Sequence, residues 1–596
     1  MEWIQAYDPL HHAWLSTLAA AVPIVLLLVA LGVFEWKAHW AAIAGLGMAL
    51  AVAVGIYGMP ATTALGAALD GAAYGLFPIG WIVVNAVFLY NLTVAAGQFD
   101  IVKSSVARLS ADRRIQALLV AFSFGAFIEG AAGFGTPVAI TAALLGGLGF
   151  TPLYSAGLSL IANTAPVAFG AIGTPILTLA AITDIPASTL SAMAGRQLPL
   201  VSLIIPAWLV VTMSGWRGLR GVWPAVLVSG GSFALVQFVW SNYVGPELVD
   251  IAGGLISLGS LGLLCVWWKP AEAWDFPDRA DRPSAVAAVS SGGRLVPEPA
   301  LAAARPAMAG GSIVKAWMPW VVLSVFVAAW GTGTVKSFLN AGPAGAASYR
   351  ASGKAPAPHP VLSPTFDVPG LHQMVFRDFP VVPARVDPAR VHEPAYKAQR
   401  AEGARFTFNW LSASGTAIFL AALVTAAFLR IPPRVVLEMV ELTLFRMRWS
   451  LLTIAVMMSL GFVTRYGGTD ATLGLAFTRT GVLYPFFAAL LGWLGVALTG
   501  SDTSSNVLFG SLQKITAQQL GLNPVLITAA NSTGGVMGKM IDAQSIVVST
   551  AATNQPGQEG QILRFVFWHS LALVTIVGII VMLQAYVFTW MVPAWP

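Results

Sequence analysis

Apolar runs long enough to cross a bilayer alternate with short polar connectors over most of this 596-residue chain. A spanning helix needs about 20 mostly apolar residues. Runs near 12–34, 38–57, 77–97, 198–214, 221–243, 248–268, 316–338, 410–429, 449–464, 482–498 and 565–591 meet or approach that length. With the glycine-rich stretches between them, they predict an all-α polytopic membrane protein of about 12–14 transmembrane helices. Residues 1–115 read as opening, scaffold-like helices, 116–200 as a first core with a broken helix, and 201–268 as further spans. A flexible linker over 269–315 leads to a span at 316–338 and a polar extramembrane loop at 339–408. Scaffold helices at 409–480, a second core at 481–560 and a last helix at 561–596 complete the division. Lys103, Arg108, Arg113 and Arg114 follow the third helix, which places that loop in the cytoplasm and the N-terminus outside.

One stretch breaks the apolar pattern from inside. From Phe124 to Pro175 the flanks suit a bilayer, yet the segment carries Glu129 among Gly125, Gly130, Gly133 and Gly135, then Pro137, Pro166 and Pro175. Irregular backbone at membrane depth is tolerated only where protein or a watery cavity covers it. Discontinuous helices of this kind supply ion and substrate sites in secondary transporters. A carboxyl at mid-helix costs about 2.5–3.5 kcal/mol on insertion scales, so a retained one points to function.

Composition narrows the class. The chain is 57% hydrophobic and 10% charged, against about 25% charged for a soluble domain. Its net charge of +6 is spread over loops, with no polybasic arm for nucleic acid. The single Cys265 excludes an internal disulfide framework and a multi-cysteine metal site, and His359, His372 and His392 lack metal-ligand spacing. No cofactor motif appears. Nor do a nucleophile elbow, a zinc-protease helix or a phosphate loop, so no catalytic residue is assigned and the chain is not read as an enzyme.

The stretch has an echo. Leu148-Gly149-Phe150-Thr151-Pro152 recurs as Leu520-Gly521-Leu522-Asn523-Pro524, and Ala162-Asn163-Thr164 as Ala530-Asn531-Ser532. Upstream, Glu129-Gly130 corresponds to Thr499-Gly500-Ser501-Asp502. Two structural repeats with substrate between them follow from this pattern. An odd number of spans between the copies would invert them in the membrane.

At these residues the chain resembles the bacterial L-lactate permease family, which includes glycolate permeases. The likeness rests on Phe127–Ile140, Asn409–Thr416, Gly500–Gly510 and Ala530–Ile541 and covers nearly the whole chain. One departure is Asp542-Ala543 before Gln544, where the family pattern leads us to expect Ser-Pro. The resemblance implies proton-coupled symport of L-lactate, D-lactate and glycolate across the bacterial cytoplasmic membrane, by a multi-pass protein surrounded by lipid. A sodium-coupled carboxylate transporter is the alternative, with Asp502 and Asp542 as oxygen ligands. Monomer or homodimer stays open.

A 2-hydroxymonocarboxylate needs a cation or a helix N-terminus for its carboxylate and small polar groups for its hydroxyl. Candidate binding residues are Gly130, Gly133, Gly135, Thr136, Asn163, Thr164, Ser501, Thr503, Ser504, Ser505, Asn506, Asn531, Ser532 and Thr533. Each hydroxyl or amide could instead join helix to helix. Lys539, inside an apolar glycine-rich segment, is the candidate cation, with an ion pair to Glu129, Asp502 or Asp542 as the competing role. Arg465 and Arg196, near the ends of spans, read as interfacial. Desolvation disfavours the charged form of a carboxyl, which makes Glu129 and then Asp502 the candidate proton carriers.

Overall fold

A bilayer offers no water to backbone groups, so apolar runs close their hydrogen bonds within helices. The computed structural model describes residues 2–594, apart from 33, 35, 134, 277–287, 290–294, 297–309, 353–356, 383 and 556–557. Among the described residues, ten helices are long and apolar enough to cross a membrane, or eleven with the bent pair Pro152–Ala162 and Val167–Thr183 counted as one. Leu198–Tyr243, at 46 residues, is long enough for two passes. Its backbone leaves helical geometry at Gly215 and Val222, where the sequence shows a connector between two runs.

Several boundaries move. The run near 449–464 belongs to a 35-residue helix, Pro433–Gly467, so Arg434, Arg446 and Arg448 lie on a helix and not in a connector. The helix expected at 316–338 is instead Gly310–Gly331 followed by Gly333–Ser352, so helix carries on into the segment read as a polar loop. The one near 410–429 is the shorter Ser414–Phe428. The linker expected over 269–315 lies largely outside the described residues. Phe134, within the glycine motif, lies outside them too.

The N-terminal Trp3–Ile4 pairs in parallel with Val375–Phe376, and Thr365–Asp367 pairs with Arg405–Thr407. These short strands put the N-terminus and the 339–408 segment on one face. Arg113, Phe150 and Tyr154 meet residues 275–276 elsewhere.

Two four-helix motifs form the centre. The first runs Arg113–Ala131, Thr136–Gly147, Pro152–Ala162 and Gly170–Thr183. The second runs Tyr484–Thr499, Asp502–Gln519, Pro524–Gly538 and Ala543–Ala552. Each passes from its second to its third helix through a left-handed glycine, Gly149 or Gly521. A side-chain N-cap follows, Thr151 or Asn523, with proline just inside the new helix. The motifs pack reciprocally: the fourth helix of the first lies on the second helix of the second, and Ala543–Ala552 lies on Thr136–Gly147.

Within the second motif the first and third helices approach closely. A Cβ added at Gly492 would stand 1.9 Å from the Asn531 carbonyl oxygen, so only glycine lets these backbones meet.

Candidate substrate and proton site

The first break follows a fully buried helix, Arg113–Ala131. Helical geometry fails at Ala132, and Gly133 and Gly135 adopt φ of 57° and 79° before Thr136 and Pro137 start the next helix. One turn before this break sits Glu129, 4% exposed, with Oε2 lacking a hydrogen-bond partner. Its other oxygen lies against Gly170, where an added Cβ would come within 2.4 Å. Just beyond, Ala171 and Ile172 hold left-handed backbone, which costs a non-glycine residue about 1–3 kcal/mol each. Such strain persists where the surroundings over-determine the conformation. Asn163, buried at the end of the preceding helix, lies beside the Glu129 carboxyl.

The second break turns on Gly500 at φ 72°. Ser501 caps the following helix, its hydroxyl accepting from the Ser504 amide at 3.3 Å. Asp502 stands in that helix's first turn, where the dipole favours an anion. One of its oxygens accepts from the Ser532 hydroxyl and from the Asn506 amide at 3.4 Å; the other has no partner. Asn506 also donates to the Pro175 carbonyl at 3.2 Å, tying the second motif to the broken fourth helix of the first. Its oxygen accepts from Asn531 at 2.9 Å, and Asn531 in turn accepts from Gln513 at 3.2 Å.

Lys539 lies at the end of Pro524–Gly538, inside the second motif. Its ammonium donates to the Gly500 carbonyl at 2.7 Å and ion-pairs with Asp542 at 3.2 Å. Of the partners open in the sequence, the structure supplies Asp542. Neither Glu129 nor Asp502 forms an ion pair with the lysine.

The structure therefore brings together Glu129, Asn163, Asp502, Asn506, Asn531, Ser532 and Lys539 around the breaks. Other candidates stay apart from that network. The Thr164 hydroxyl is spent on the Ile161 carbonyl at 2.7 Å. Ser505 is the exception, touching the network by accepting from the Asn531 amide at 3.4 Å while it donates to the Gly492 carbonyl at 3.1 Å and joins helix to helix. Thr136, Ser501, Thr503 and Ser504 are half-buried at helix starts, and Gly130 is a packing contact against Asp250 and Ile251. Thr533 donates to Gln197 at 2.6 Å, and Gln197 bonds Gln584 at 3.0 Å.

Sequence reasoning missed those glutamines and Gln513, although a glutamine in an apolar run is itself a signal. It also read Arg465 as a side chain reaching the membrane surface, whereas it is 5% exposed and held by acidic partners. Arg465 pairs with Asp184 and, at 3.3 Å, with Glu402 of the 339–408 segment. Burial pushes the Glu402 carboxyl up, but Arg377 and Arg465 outweigh it and hold it below the usual range. Beside Arg465 opens a cavity of about 500 Å³, lined by Asp70, Tyr74, Asp184, Arg405 and Asn409 among others. Among the described residues no cluster of His, Cys, Asp and Glu could hold a metal ion.

Comparison with known proteins gives this geometry a family. A family model described as L-lactate permease matches residues 16–588. "Glycolate permease GlcA" of Escherichia coli K12 is 46% identical over 593 residues, covering 99% of both chains. "L-lactate permease" of Bacillus subtilis strain 168 is 46% identical over 594 residues, covering 100% of both. Among solved structures, the Neisseria gonorrhoeae efflux pump MtrF aligns over 87% of this chain and 83% of its own at 13% identity and a TM-score of 0.43. With bacterial relatives over its whole length and at least ten apolar helices, this is a multi-pass protein of the bacterial inner membrane, and it belongs to the L-lactate permease family.

Proposed function

We propose that the chain is a secondary active transporter that carries L-lactate, D-lactate and glycolate inward together with protons. The observation that carries this reading is the Asn506–Pro175 hydrogen bond at 3.2 Å. It joins the two motifs where each is broken, beside Glu129 and Asp502, two buried carboxyls that each keep an oxygen without a partner. The substrate carboxylate binds the free N–H groups at the start of Asp502–Gln519 and the Lys539 ammonium, and the hydroxyl bonds Asn506, Asn531 or Ser532. Glu129 takes a proton while facing one side and loses it when water reaches it from the other.

The two motifs are inverted repeats on this reading. In support, the Gly149 turn lies by Phe276, near Arg113, whereas the Gly521 turn neighbours Gln519, which donates to Pro380 in the extramembrane segment at 2.8 Å. The Arg465 cavity, on that second face, is the entrance from outside. Relatives named for lactate and for glycolate at equal identity support a shared hydroxyacid substrate class.

Labelled L-lactate uptake into proteoliposomes tests this. An inward proton gradient should drive accumulation that ignores sodium and is blocked by glycolate. Glu129→Gln should abolish accumulation and keep lactate exchange. Uptake that needs sodium, or a mutant that still concentrates lactate on a pH gradient, overturns the coupling assignment.

A further inference from the structure

Asp250 is a carboxyl that the reading so far does not use. It lies in the first turn of Val249–Trp267, 1% exposed, and neither of its oxygens has a hydrogen-bond partner. An aspartate there ordinarily accepts from the helix's free terminal N–H groups; this one does not. Its position is set by close helix packing. A Cβ at Gly130 would stand 2.7 Å from the Ile251 nitrogen and 2.8 Å from the Asp250 Cβ, and a Cβ at Gly254 would stand 2.5 Å from the Phe127 nitrogen. Those two glycines seat the Asp250 helix directly against the Glu129 helix, one residue from Glu129.

The charged surroundings are sparse. Val249–Trp267 packs on Leu198–Tyr243, on Arg113–Ala131 and on Gly170–Thr183. The last carries no charged side chain. Arg217 and Arg220 lie at the 215–222 bend, where Arg114 bonds the Gly218 carbonyl at 3.1 Å, and Arg113 pairs with Asp275. That end is about 20 Å along the helix from Glu129 by helical rise. What remains is Glu129, next to the Gly130 contact, and Glu247, three residues before Asp250, whose carboxyl accepts from the Ser414 hydroxyl at 3.5 Å. Lys539 is committed to Asp542. Asn163, also buried, lies beside the Glu129 carboxyl.

Resting on the proton-coupled reading above, we propose that Asp250 and Glu129 form one proton-handling pair, with Asp250 the inner member that exchanges a proton with Glu129 during transport. Two neighbouring carboxyls without a cation between them do not both carry charge, so the pair holds at least one proton and its titration belongs to both groups. In the exchange the Asp250 O–H bond breaks, its electron pair stays on Asp250, and an O–H bond forms on Glu129, whose negative charge passes to Asp250. Asn163, able to donate and accept, adapts to either arrangement.

The test uses the full-length protein in proteoliposomes. Asp250→Asn should keep lactate exchange at symmetric pH within about twofold, lose pH-driven accumulation at least tenfold, and change the pH profile of exchange. Asp250→Glu should restore accumulation. The Glu129→Gln/Asp250→Asn double variant should be no worse than the stronger single variant, since coupled groups are not additive. Infrared difference spectra of the wild type on lactate addition should show a protonated-carboxyl band that shifts in Asp250→Glu; this holds even if the asparagine variant does not fold. Wild-type accumulation and pH profile in Asp250→Asn, or a band unmoved in Asp250→Glu, overturns the pair. A wild type that transports no hydroxyacid instead sinks the functional reading itself.

Discussion

Lys539 pairs with Asp542 at 3.2 Å, three residues away, in a region where both side chains are buried. The pair closes the end of the second motif's third helix onto the Gly500 break. Removing one member of a buried pair leaves an uncompensated charge and costs about 3–5 kcal/mol, whereas removing both is far milder. Lys539→Gln should therefore lower thermal stability in detergent markedly, and Lys539→Gln/Asp542→Asn should recover much of the loss. Equal stability of the two variants would show that the pair does not hold the break.

If Lys539 holds the substrate carboxylate as proposed, Asp542 competes with substrate for the same cation. Asp542→Ser frees the Lys539 ammonium, and lactate affinity should rise several-fold, read as a lower half-saturation concentration for uptake. An unchanged or weaker affinity would remove Lys539 from the substrate site.

Asn531 links Asn506 and Gln513 at 2.9 and 3.2 Å. Asn531→Ala leaves the buried Asn506 oxygen without its donor, a penalty of about 1–3 kcal/mol, while Gln513 keeps the Ala488 carbonyl at 2.8 Å and Asn506 keeps Pro175. Uptake should fall about tenfold, or ~1.4 kcal/mol, while the protein still folds. Wild-type uptake would make this network a packing device only.

Much of this was legible in the sequence. The apolar runs mark the helices because a bilayer demands regular hydrogen bonding, and the glycine and serine clusters mark the breaks because few other residues tolerate them. Asp250 and the Arg465–Asp184–Glu402 cluster were not legible. Asp250 reads as an ordinary helix-start acid until Gly130 and Gly254 bring its helix against Glu129. Arg465 reads as interfacial because its partners lie in distant segments, at Asp184 and Glu402. Pairing of that kind depends on tertiary packing and leaves no local pattern.

Through charge, Glu402 ties the 339–408 segment to Arg465 and Glu2 ties the N-terminus to Lys397 of that segment. The hydrogen bond from Lys397 draws the Glu2 carboxyl down to about 2, and Glu402 is also held low. A depressed folded value gives stability that is present above the unfolded value, about 4.3 for Glu, and lost as pH falls through the folded one. Amide protection factors at Trp3 and Gln5, whose N–H groups bond Met374 and Phe376, taken relative to the intrinsic exchange rate at each pH, should be high at pH 7 and fall below about pH 4. Glu402→Gln should weaken protection at pH 7 and flatten its acid dependence. Equal protection at pH 3 and pH 7 would contradict the assignment.

The most direct measurement is proton movement during lactate entry, followed with a pH electrode in weakly buffered proteoliposomes and corrected with protein-free vesicles. The outside medium should turn alkaline as L-lactate enters, and Glu129→Gln should abolish that signal. Lactate influx through the protein with no accompanying alkalinisation would contradict proton coupling.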